Sequence, residues 1–165
     1  MKRMPIDETN VTETDGDFFI VGGLILDENC LMPIRNGTIE IREKYGFKPG
    51  DSFKFQTRSR PEQVSKEDFN AAKAEAIQLL IEHNAHLLVY VILHNIIGEE
   101  VKFKYAYNVL FHQFDKEYLS AIDDVAFIIV DRLPANTTFD MLKEIFSKGV
   151  DSPLGINTEL ERILH

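Results

Sequence analysis

The chain has 165 residues, with 27 acidic against 18 basic side chains and a formal net charge of −9. That length suits one domain spanning residues 1–165, and 44% hydrophobic with 27% charged residues is the make-up of a folded globular protein, not a disordered one. The acidic excess argues against a broadly basic nucleic-acid coat, and the lone Cys30 excludes an internal disulfide framework and a cysteine-rich zinc site.

A single thiol also fits a reducing, cytoplasmic compartment. No apolar run reaches the ~18 to 20 residues a membrane span needs, so no membrane partner is expected. Met1-Lys2-Arg3 starts like a signal peptide, but Asp7, Glu8 and Glu13 stand where its apolar region belongs. In chain order, residues 4–7 predict a short strand at a sheet edge, because Pro5 cannot donate to a central ladder. Asp15-Gly16-Asp17 signals a turn, and the apolar run Phe18 to Leu26 predicts a strand buried on both faces. Its Gly22-Gly23 pair suggests a bulge or a close approach of another backbone. Residues 31–45 read as mainly helical despite Pro33 and Gly37, residues 45–50 as a loop, and Ser52 to Phe55 as a short strand.

Ser65-Lys66-Glu67-Asp68 fits a capping box ahead of a helix bearing Phe69, Ala72, Ala76, Leu79 and Leu80 at helical spacing. His86 to His94 and Val125 to Val130 predict two more buried strands. Between them Phe103, Tyr107, Leu110, Phe111, Phe114 and Tyr118 mark one face of an amphipathic helix. Thr137 caps a last helix carrying Met141, Leu142, Ile145 and Phe146. Strands that alternate with long helices, after an antiparallel-looking start, imply an α/β fold: a mixed sheet with helices packed on its faces. Ribonuclease H-like folds, among others, have that architecture.

Few residues suggest chemistry. Asp7-Glu8 and Asp131 each follow an apolar strand, and open α/β sheets place ligands beyond the carboxyl ends of their strands. Carboxylates there can share Mg²⁺ or Mn²⁺, since hard cations prefer oxygen ligands. A strand that ends in Asp and simply meets solvent is the commoner case. Lys54, Arg58 and Arg60 form the one basic cluster, suited either to a polyanion or to plain solvation. His94, at a strand end, is either a proton shuttle or a hydrogen-bonded structural histidine. No zinc spacing, nucleophile elbow or phosphate-cradling glycine loop occurs.

Ile6-Asp7-Glu8-Thr9 followed by Phe18-Phe19-Ile20-Val21-Gly22-Gly23, then Ser52-Phe53-Lys54-Phe55, then Ile128-Ile129-Val130-Asp131-Arg132, resembles the domain-of-unknown-function family 3800. The resemblance implies a ribonuclease H-like domain with metal-dependent nuclease activity. It makes Asp7 and Asp131 metal ligands for Mg²⁺ or Mn²⁺, Glu8 and Lys54 supporting residues, and Glu159 or Asp151 a last acid. Lys54, Arg58 and Arg60 would then contact phosphates. Two features depart from the family pattern. Ser52 stands where a Glu is usual, with Asp51 one residue away, and Asp151 to Glu159 only loosely matches the closing motif, as in a chain shortened there. These departures leave a second reading: a catalytically inactive relative that binds a protein partner, for example in a bacterial or phage defence or mobile-element system.

Overall fold

The computed structural model describes residues 1–96, 99–119, 125–130, 140, 142–145, 147, 150–151 and 157–158. Three strands follow from the apolar runs, β2 (Phe18–Asp27), β3 (His86–Leu93) and β4 (Ala126–Val130), and β1 (Lys2–Thr9) precedes them. They form one mixed sheet in the order β3-β2-β1-β4. β2 and β3 are antiparallel, while β1 and β4 run parallel in a register that ends at Ile6↔Val130. The mixed α/β architecture expected from the sequence is therefore present. β5 (Val150–Asp151) and β6 (Asn157–Thr158) make a separate antiparallel pair. By contacts the chain divides into two compact units, Met1–Ile25 with His86–His165, and Leu26–Ala85.

In the first unit, the two-residue period of the strands decides what is buried. Met4 and Ile6 of β1, Phe19, Val21 and Ile25 of β2 and Ala126 of β4 turn to one face. There they meet Ala106, Tyr107, Leu110, Phe111 and Phe114 of α3 (Glu99–Tyr118), the helical face read from the sequence. The alternate residues point the other way and remain partly or largely exposed, Leu87, Val89, Val91, Phe127 and Ile129 among them. The expectation that these strands are buried on both faces is thus corrected. An unbroken apolar run does not distinguish one-sided from two-sided burial, because both faces carry apolar residues either way.

β1 is also not an edge strand. It lies between β2 and β4 and extends beyond residues 4–7, and Pro5 is paired in register with Ile129. Each strand residue directs its N–H toward one neighbour only, so one proline removes a single ladder bond, which the rest of an eight-residue strand tolerates. The Gly22-Gly23 pair makes no bulge, since both stay in register with Val89 and Leu88. Gly23 serves a close approach of side chains instead: a Cβ there would lie 2.7 Å from the buried Met4 sulfur.

The second unit is a helical pair. α1 (Leu31–Lys44) admits Pro33 because it falls in the first turn, where backbone N–H groups have no helical partner. α2 (Lys66–Glu82) begins at Ser65, whose hydroxyl accepts the Asp68 N–H at 2.9 Å, as the capping pattern predicts. Both helices end in Schellman turns, with Gly46 at φ 78° and Asn84 at φ 52°. Gly37 lets α1 approach α2, since a Cβ there would lie 2.8 Å from a Leu79 methyl. Ile41, Phe47, Val64, Phe69, Ala72 and Ala76 form the core between them. Residues 52–55 pair with no strand; Phe53 packs edge-on against Phe47 at 5.1 Å. Of the last expected helix, residues 142–145 are helical with Leu142 and Ile145 buried, and Thr137, Met141 and Phe146 lie outside the described residues.

The two adjacent glycines predict opposite outcomes. Gly23→Ala pushes on the enclosed Met4 and is expected to cost about 1–3 kcal/mol in urea denaturation. Gly22→Ala meets only ordinary contacts at 3.5 Å and is expected to stay within about 0.5 kcal/mol of wild type.

Candidate functional site

Because β1 and β4 are parallel, their carboxyl ends lie side by side. The last paired residues, Ile6 and Val130, immediately precede Asp7 and Asp131 in the sequence. Asp131 itself lies outside the described residues, as does Glu159; Asp151 belongs to β5. Asp7 and Glu8 point to opposite faces of the sheet, as consecutive strand residues must. Asp7 is exposed, and its Oδ1 accepts the Glu8 N–H at 3.0 Å. It lines a groove of about 410 Å³ together with Pro5, Ile20, Gly22, Leu24 and Val89. Glu8 turns toward α3, where the Tyr107 hydroxyl donates to its Oε2 at 3.1 Å.

Tyr107 is fully buried, and that burial, reinforced by the Glu8 and Asp7 carboxylates, pushes its phenol well above the usual tyrosine range. It therefore stays a neutral hydrogen-bond donor to Glu8. Farther along α3 toward its start, Lys102 is also buried. Its Nζ donates to the Val11 carbonyl at 2.9 Å and lies 3.0 Å from His94 Nδ1, above the rings of Phe19 and Phe103. Lys102 so ties the segment after β1 to the sheet and helix core. His94 is the hydrogen-bonded histidine at a strand end, with its backbone N–H on the Asp17 carbonyl at 3.2 Å.

The sequence reading missed Lys102 and the polar role of Tyr107. A signal was present for the first: Lys102, Ala106 and Leu110 recur every four residues, so the lysine shares the buried stripe. The Tyr107 hydroxyl leaves no such trace, because its ring fits the apolar pattern whatever the oxygen touches.

The basic cluster belongs to the second unit, and its members differ. Lys54 and Arg58 are exposed, with Arg58 Nε donating to Gln56 Oε1 at 2.8 Å. Arg60 is half-buried and donates to the Val64 carbonyl just before α2, so its guanidinium is committed to the backbone. Asp51, the neighbour of Ser52, accepts Lys48 N–H and Gln63 Nε2 on one oxygen, both at 2.6 Å. Its carboxylate clips the loop after α1. Among the described residues, no three His, Cys, Asp or Glu side chains converge as a metal site would require, and no helix is long and apolar enough to cross a membrane. No family model, curated protein or solved structure matches the chain.

Two outcomes are expected. Above pH ~10 the unfolded tyrosine ionises while the folded Tyr107 stays protonated, so stability is intact below that pH and falls as pH rises past it. Urea denaturation on either side of pH ~10 should show a smaller loss in Tyr107→Phe than in wild type. Lys102→Met removes the donor from Val11, and hydrogen exchange should quicken over residues 10–17 while β2 and the middle of α3 keep their protection.

Proposed function

We propose that the carboxyl-terminal rim of β1 and β4 is a divalent-cation site for phosphodiester hydrolysis, in a ribonuclease H-like domain acting in the cytoplasm. The observation that carries this reading is the parallel β1–β4 register, which ends one residue before Asp7 and one before Asp131. The described half of the site fits a hard cation: no cationic side chain pairs with Asp7 among the described residues, and its carboxylate is exposed beside a groove. Asp7 and Asp131 would hold Mg²⁺ or Mn²⁺, with Glu159 or Asp151 as a third acid and substrate phosphate and water completing the shell. The ion would supply an activated water and charge for the leaving oxygen. Glu8, on the opposite face and held by Tyr107, would support the site by fixing the end of β1 from which Asp7 projects. Of the basic cluster, Lys54 and Arg58 are the exposed cations that would meet a nucleic-acid backbone; Arg60, bound to Val64, is a support of that loop.

The second reading, a non-catalytic module that binds a protein partner, draws on the exposed apolar residues of the sheet and on the lack of three convergent ligands among the described residues.

One experiment separates the two. Single- and double-stranded DNA and RNA are incubated with the protein and Mn²⁺, and Mn²⁺ binding is measured by calorimetry. Hydrolysis is expected, with Asp7→Asn and Asp131→Asn each lowering ion affinity and cleavage by about 10–100-fold or more. Absence of both cleavage and ion binding in the wild type leaves the binding-module reading.

A further inference from the structure

The open face of the first unit's sheet is apolar on β2, β3 and β4, while β1 turns Arg3, Pro5, Asp7 and Thr9 to it. On β3, the alternate residues Leu87, Val89, Val91 and Leu93 point to it, with Leu87 70% and Val91 57% exposed. On β4, Phe127 and Ile129 continue it, Ile129 at 48%. With Phe18 of β2, these residues expose roughly 600 Å², at the upper end of the largest patch a monomer usually leaves. The core does not require this pattern, because the other face alone packs against α3. A strand with one wet face ordinarily alternates apolar with polar residues, whereas β3 carries no polar residue from Leu87 to Leu93 except Tyr90, which faces the core.

We infer that this face is the interface of a twofold dimer, sheet against sheet, between two copies of the chain. Three observations select a second copy as the occupant. Two copies of this face together would bury roughly 1,200 Å², the lower bound of a standard stable interface. The patch is free of charge over β2 and β3 in a protein of net charge −9, so two copies can meet there without like charges facing each other. The charged residues on this face are Arg3 and Asp7, opposite in sign and on either side of Pro5 in the open-face row of β1. An isologous pairing about an axis near Pro5 brings the Arg3 end of one copy toward the Asp7 end of the other. A polyanion or an anionic membrane would find no lysine or arginine on β2 or β3 to engage.

Sedimentation equilibrium of the full chain, from low micromolar to near millimolar concentration, tests this. The expected result is a reversible dimer at twice the 19.0 kDa chain mass. Val91→Glu should weaken it at least about tenfold, because the charge is buried within the apolar row of β3. Ile81→Glu, on the exposed side of α2 in the second unit, should leave it unchanged. Far-ultraviolet circular dichroism verifies folding. If Val91→Glu does not fold, Val91→Thr keeps the shape and should still weaken the dimer. A wild type that stays monomeric throughout overturns the inference and gives the face to a different protein, as does a dimer insensitive to Val91 or equally sensitive to Ile81. Asp7 and its groove belong to both this face and the proposed cation site, so Mn²⁺ calorimetry on Val91→Glu is read beside the sedimentation: ion binding kept while the dimer is lost separates the interface from the site.

Discussion

One constraint organises the first unit: the face of the β3-β2-β1-β4 sheet that bears Met4, Phe19, Val21 and Ile25 must be covered, and α3 covers it. Each large side chain fully buried there contributes about 1.5–3 kcal/mol of transfer free energy. Phe111, Phe114 and Leu110 supply it from the helix, and Phe19 and Val21 from the strand. The absence of a side chain at Gly23 lets Met4 and Ile6 fill the middle of that layer. A bulkier residue would displace Met4, which has no exposed direction in which to move.

The polar rim depends on the same packing. Tyr107 and Lys102 lie on the buried side of α3, and the core fixes the helix close enough to β1 for them to reach Glu8 and Val11. Burial makes each of these bonds consequential: a buried polar group without a partner costs about 1–3 kcal/mol, so the bonded arrangement is strongly selected. Glu8 is thereby oriented by a neutral donor, while Asp7, on the other face, keeps its carboxylate toward solvent and the groove. The acidic rim is thus asymmetric, with one anchored carboxylate and one exposed.

Much of this was legible in the residues. The Phe103-to-Tyr118 stripe, the Ser65 cap and the three long apolar runs each use a period or a local bond that the sequence states directly. Pro5 was misleading and Pro33 was not, for one reason. Their cost depends on whether a particular N–H has a partner, and position within the element decides that: the first turn for Pro33, one slot of a central ladder for Pro5. Lys54, Arg58 and Arg60 read as one cluster of charge, yet Arg60 is spent on the Val64 carbonyl, a bond between residues four apart that charge counting does not register.

The sequence by itself determined the long strands and helices, their mixed α/β order and which face of α3 is apolar, because those properties rest on spacing along the chain. Tertiary structure decided that β1 is central and parallel to β4, that Asp7 stands at their shared carboxyl end, and that Glu8 is held by Tyr107 across 99 residues. It also decided that the second face of the sheet stays open. Partner choice between strands and burial of a face are properties of distant segments meeting. An apolar run reads the same whether one of its faces or both are covered.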